Sequence, residues 1–195
     1  MIVVDSNVIA YCWILGDRTE IAQLVRLRDP AWHAPILWRS EVRNALTAYV
    51  VRDIIKPDRA AAIMATAEGA LAECEHLVSS NLVLDLAVRT RLSAYDCEFV
   101  VLAQSLNVLL VTEDQAILKA FPEVAVSMEG FLKSFQASPP AAHEERKRYR
   151  TPGRNGQERL ARYHELQARI DAAPHPKGRR KAPISREELY RKRRP

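Results

Sequence analysis

Four carboxylates, Asp5, Glu41, Asp96 and Asp114, follow apolar runs or fall on apolar helical stripes. Asp5 follows the run MIVV directly, and Asp114 closes VLLVTED. Glu41 lies in ILWRSEVRNALTAYV on the stripe of Trp38, Ala45, Ala48 and Tyr49. Asp96 lies in RLSAYDCEFVVLAQSL on the stripe of Leu92, Phe99, Val100, Ala103 and Leu106. A helix with this periodicity buries its stripe, so both carboxylates are expected on inward faces, where an ionised group demands a partner or a cation. Oxygen-rich acidic sets suit the hard cations Mg²⁺ and Mn²⁺, which take part of their shell from carboxylates and substrate phosphate. Such a cation lowers the pKa of a bound water and neutralises charge developing on a phosphodiester. It also reverses the local sign, so that an acidic surface can receive a polyanion. Metal-assisted phosphodiester hydrolysis is the chemistry that these residues fit best.

Each residue also has a structural alternative. Asp96 can complete a capping box with Ser93, Glu41 can pair with Arg39 or Arg43, and Asp5 and Asp114 can be ordinary turn residues after strands. The coincidence of all four favours a site. Glu98 and Glu113 fall on other faces and are expected to be solvated surface charges.

The elements that must position these residues alternate. IVV at 2–4 and VLLV at 108–111 are short apolar runs of the kind found in strands buried on both faces. Shorter candidates are WHAP at 32–35, HLV at 76–78 and VAV at 124–126. Helical spacing predicts helices over 19–28, 37–53, 58–75, 80–89 and 93–106, with capping-box signals at Ser93/Asp96 and Thr112/Gln115. Interleaved strands and helices imply an α/β fold around a mostly parallel sheet, in which sites form at the carboxyl ends of strands. Asp5 and the Thr112–Asp114 turn are therefore expected on one rim.

The formal charge of +5 over 195 residues divides unevenly. Residues 1–137 carry 12 Lys/Arg against 17 Asp/Glu, whereas 138–195 carry 17 against 7. Proline and basic residues crowd the second part and core-sized apolar residues thin out, as in an extension rather than a second core. The expected division is a catalytic domain over 1–137 and a basic, Pro-rich tail over 138–195, with short helices around 160–170 and 185–192. Cys12, Cys74 and Cys97 are far apart with no CxxC spacing, which argues against a disulfide framework or zinc site. No apolar stretch is long enough to span a membrane, and no signal-peptide pattern opens the chain, so a cytoplasmic address is expected. Trp13, Trp32 and Trp38 are expected in the core.

The strings VVDSNVIAY, SEVRNALTAY and SAYDCEFVVLAQSLNVLLVTEDQAIL resemble PIN domains, the fold of VapC-type toxins in toxin–antitoxin systems. The resemblance covers about residues 1 to 135 and is most specific in YDxxFVxLA followed by LxTxD. It implies a three-layer α/β fold and a metal-binding quartet of Asp5, Glu41, Asp96 and Asp114, supported by the polar residues Asn7 and Thr112. It further implies a Mg²⁺- or Mn²⁺-dependent endoribonuclease with RNA as substrate, a cognate antitoxin lying across the site, and a homodimer. A catalytically inactive PIN scaffold or RNA-binding protein is the alternative. The tail departs from the family pattern: it is expected to be a solvated extension, an RNA-binding arm, or an antitoxin-like segment whose GRRK or YRKRRP arginines reach the acidic site. Rival folds fit less well: a haloacid-dehalogenase-like phosphatase wants an acid where Asn7 stands, and no glycine-rich phosphate loop occurs among the six glycines.

Overall fold

A computed structural model describes residues 1–136; the basic tail and its two expected helices lie outside the described residues. The elements run β1 (Ile2–Val4), α1 (Ser6–Trp13), α2 (Thr19–Arg28), β2 (Trp32–Pro35), α3 (Trp38–Val51), α4 (Pro57–Leu71), β3 (Glu75–His76), α5 (Ser80–Thr90), α6 (Ala94–Leu106), β4 (Leu110–Val111), α7 (Gln115–Ala120), β5 (Ala125–Val126) and α8 (Met128–Gln136). The five strands form one all-parallel sheet in the order β3-β2-β1-β4-β5, flanked by helices. This is the α/β class expected, and it is consistent with a PIN-like three-layer fold.

Strand order follows from where the chain can travel. It steps outward from β1 to β2 and β3, then returns through α5 and α6 to place β4 on the other side of β1. Helix α6 packs against β1, β2 and β4 on the way. The order therefore reverses between β1 and β4, where Val3 is in register with Leu110 and Val4 with Val111. A reversal of this kind opens a crevice at the carboxyl ends of the two strands.

Short strands suffice because the central strands β2, β1 and β4 are buried at every residue but His33: Val3, Val4, Trp32, Ala34, Leu110 and Val111 all lie in the core. Each large apolar side chain so buried is worth roughly 1.5–3 kcal/mol. Trp13, Trp32 and Trp38 are all interior. Trp13 and Trp32 meet edge to face with centroids 6.0 Å apart, and the Arg26 guanidinium lies 5.0 Å from the Trp32 centroid while donating to Ala70 O at 3.1 Å. Cys12 and Cys97 are buried and Cys74 is half-buried; all three are free thiols.

Arg39 ties the outer strand to two helices. Its Nε and Nη2 reach Glu75 Oε1 and Oε2 at 2.6 and 2.9 Å, and its Nη1 reaches Glu68 at 2.5 Å. Trp38 Nε1 also donates to Glu75 Oε1 at 2.7 Å. Arg39, foremost, and Trp38 hold the Glu75 carboxyl below its usual range. At the opposite edge, α8 comes so close to β5 that a Cβ added to Gly130 would lie 2.8 Å from Val126 Cγ2.

Several boundaries differ from the sequence expectation, each for a local reason. VLLV yields only Leu110–Val111, because Asn107 adopts φ 52° and turns Val108 N–H back to Ala103 O at 3.0 Å. HLV gives way to Glu75–His76, and Leu77 is left almost fully exposed. The helix expected to reach residue 75 stops at Leu71, where Cys74 N–H closes onto Leu71 O at 2.8 Å. Helices α1, α7 and α8 were not legible as separate elements: α1 buries five of its eight residues, and α7 is only six residues long. No described helix is long and apolar enough to cross a membrane.

His33 and His76, on adjacent strands, share one hydrogen bond between Nδ1 and Nε2 at 2.7 Å. One ring must donate and the other accept, so the bond survives a first proton and is lost when both rings are protonated. Burial foremost, and then the neighbouring His76 and chain amine, lower His33 to about 4 against the opposing effect of Asp29; burial also lowers His76. The unfolded chain takes up protons below about pH 6.5 while the folded chain resists them, so stability should fall as pH drops from about 6.5 to about 4. Urea midpoints measured across that window should decline, and His33→Gln should flatten the decline.

Candidate functional site

Asp5 comes straight out of β1 and is completely buried. It stands at the N-cap position of α1, yet its side chain makes no capping bond; only its carbonyl serves the helix, accepting from Val8 and Ile9 N–H. The carboxylate is directed across the reversal point. Its Oδ2 accepts from Thr112 Oγ1 at 2.7 Å and from Asn7 Nδ2 at 2.9 Å. Thr112 is itself wholly buried, and its Oγ1 also accepts the Asp114 N–H at 3.0 Å. Two strand ends 107 residues apart are thus joined through one hydroxyl. The capping box expected from Thr112 and Gln115 does not form, because Thr112 is spent on Asp5 and on the turn. Asp114 caps α7 instead, its Oδ1 accepting from Ala116 and Ile117 N–H at 2.9 and 3.0 Å.

Glu41 is 5% exposed in the first turn of α3. Neither arginine proposed as its partner is turned to it: Arg39 holds Glu75 and Glu68, and Arg43 donates to Arg39 O and Ser40 Oγ. Asp96 is half-buried rather than buried, and Ser93 caps its helix, with the reciprocal bond running from the Ser93 hydroxyl to the Asp96 carboxylate. Asp96 N–H donates to Ser93 Oγ at 3.1 Å, and that hydroxyl donates to Asp96 Oδ2 at 2.6 Å. The cap therefore orients this carboxylate as well as starting α6.

Two acids expected to be solvated are not. Glu98 is half-buried, and burial, followed by the charge of Glu41, raises its carboxyl above the usual range. Glu113 has a side chain only 10% exposed, and burial likewise outweighs the opposing pull of Met128 N–H and Arg18 to raise it. The signal for Glu98 lies in the run CEFVVLA: Cys97 and every residue from Phe99 to Ala103 are buried, so α6 has no broad solvated face to carry it. Tyr11 joins the same region, its hydroxyl raised chiefly by burial and also by Glu113 and Asp5 against Arg18.

The structure thus gathers Asp5, Asn7, Thr112 and the Asp114 backbone into one hydrogen-bonded unit, and it couples Glu41 to Glu98 by charge. It does not draw the quartet into a finished ligand set: among the described residues, no three His, Cys, Asp or Glu side chains are grouped closely enough to hold a metal ion. The donor chemistry, all carboxylate oxygen, fits Mg²⁺ or Mn²⁺. The side-chain positions alone do not. Compared with known proteins, the chain matches no family model and no curated sequence.

Replacing Thr112 with Val keeps its shape but removes a donor to a buried carboxylate and an acceptor for the Asp114 N–H. Thr112→Val should cost about 1–3 kcal/mol in urea unfolding, and Thr112→Ser should restore most of it.

Proposed function

We propose that this chain is a Mg²⁺- or Mn²⁺-dependent endoribonuclease, acting as the toxin of a toxin–antitoxin pair. The observation that carries this proposal is the burial of Asp5 at the reversal point of a parallel sheet, held by the neutral donors Asn7 and Thr112. A fully buried carboxylate is costly for stability alone, and the carboxyl end of a reversal point is where α/β folds place their sites. The PIN-like strings around Asp5, Asp96 and Asp114 support RNA as the substrate. They also support an antitoxin that covers the acidic edge and a second copy of the chain as partners.

On this reading Asp5, Glu41, Asp96 and Asp114 would hold the cation, which would supply an acidified water and neutralise charge on the scissile phosphate. Asn7 and Thr112 keep Asp5 aimed. Burial and the neighbouring Glu41 charge raise the Glu98 carboxyl above the ordinary carboxylate range. Tyr11 keeps its hydroxyl proton at neutral pH and offers a donor to a phosphate oxygen.

The test is cleavage of an end-labelled RNA pool by the full chain in Mg²⁺, Mn²⁺ or EDTA, beside Asp5→Asn. Asp5→Asn should fold and lose cleavage by more than the roughly 10–100-fold typical of residues that only support metal ligands. Retained cleavage in that variant would overturn the assignment. Mn²⁺ binding without cleavage by the unmodified chain would mark a catalytically inactive scaffold.

A further inference from the structure

Arg18, which precedes α2, joins two carboxylates from distant parts of the chain. Its Nη2 pairs with Glu113 Oε2, and its Nη1 meets Glu129 Oε1 at 2.6 Å. The other Glu113 oxygen, Oε1, accepts the N–H of Met128 at 2.9 Å, where α8 begins. The Glu113 side chain is therefore gripped at both oxygens, by a guanidinium and by a helix start. The backbone of the same residue belongs to the acidic edge. Glu113 N–H donates to Asn7 Oδ1 at 3.4 Å, while Asn7 Nδ2 donates to Asp5 Oδ2 at 2.9 Å and to Thr112 Oγ1 at 3.4 Å. With the Asn7 oxygen receiving one N–H and its amide hydrogens serving Asp5 and Thr112, a single orientation of that amide satisfies all three contacts.

We infer that Arg18 is a positioning residue for the acidic site: by gripping Glu113 it sets Asn7, and through Asn7 it sets the Asp5 carboxylate. Arg18 touches none of the four quartet residues in the contacts described above, so its effect travels through Glu113. A guanidinium suits the task because its separate nitrogens reach two carboxylates at once, which a lysine ammonium does with less fixed geometry. Tyr11, whose hydroxyl feels Arg18, Glu113 and Asp5 together, lies in the same cluster. Glu129 brings α8 into it, and the close approach at Gly130 fixes where that helix sits. Only the part of the inference that concerns cleavage rests on the ribonuclease proposal.

The experiment uses the full chain with two readouts: the side-chain amide signals of Asn7 by nitrogen-edited NMR, and kcat and KM for RNA cleavage in Mg²⁺. Arg18→Gln should move the Asn7 amide pair and speed its exchange with water by about tenfold, as expected for losing a charge-assisted contact. It should lower kcat by about tenfold with KM within about twofold, and Arg18→Lys should recover part of both effects. An unmoved Asn7 amide in Arg18→Gln overturns the inference whatever happens to cleavage. A lower melting temperature with unchanged amide signals and kcat also overturns it, leaving Arg18 a structural tether. Should the unmodified chain fail to cut RNA while the Asn7 amide still responds, the ribonuclease proposal falls and the positioning role stands. Should Arg18→Gln fail to fold, Glu113→Gln removes the ion pair while keeping an acceptor for Met128 N–H, and the same amide readout decides.

Discussion

The pairing of β1 with β4 is the constraint on which the rest of the structure depends. Parallel neighbours end on the same side, so the residues that follow them must meet within one strand spacing of about 4.7–4.9 Å. Here those residues are Asp5 and Thr112, and the ladder is closed at that end by Asp5 N–H on Val111 O at 3.0 Å. Helices α1 and α7 both start from these strand ends, which brings two positive helix termini to the acidic edge and eases the burial of negative charge there. The hydrophobic ladder and the polar edge are thus consequences of one register.

Local capping and long-range contact divide the acids between them. While Asp96 lies in the first turn of α6 and accepts from the capping Ser93 hydroxyl, Asp114 caps its own helix, as short polar residues before helices usually do. Asp5 stands in an equivalent position and declines that role: its side chain is bound by Asn7 and Thr112 instead. A helix start that leaves its N-cap side chain unused has forgone a contact worth about 0.5–2 kcal/mol. Asp114, at the neighbouring strand end, makes that contact; Asp5 instead turns its side chain to Asn7 and Thr112.

Much of this was legible in the sequence wherever one residue type dominates its surroundings. IVV and WHAP became strands at the expected residues, α2 matches its expected span, and Ser93 caps α6 at Asp96 N–H as its position in the sequence suggested. Failures cluster where tertiary contact overrides a local pattern. Thr112 has the right spacing to Gln115 for a capping box, but a buried carboxylate 107 residues away competes for its hydroxyl. Glu98 reads as a surface charge because periodicity assigns faces only to helices with one dry side, and the middle of α6 is buried from Phe99 to Ala103; Glu113 lies in the turn between β4 and α7, where periodicity assigns no face. Arg18 had no sequence signal at all: its meaning comes from Glu113 and Glu129, both roughly a hundred residues downstream. Pattern within a window reports burial well, but it is blind to which distant group arrives.

The order in which the chain is synthesised has its own consequence for the acidic edge. Asp5 and Asn7 are made more than a hundred residues before Thr112, Glu113 and Glu129. Until β4 has been made and can add beside β1, nothing supplies the Thr112 hydroxyl or the Glu113 N–H. Such non-local closure comes late because loop entropy must be overcome before the contact forms. A growing chain therefore carries its buried Asp5 carboxylate with the Asn7 amide beside it but without the Thr112 hydroxyl until β4 has been made. The acidic edge is completed only once β4 and the α8 start have emerged.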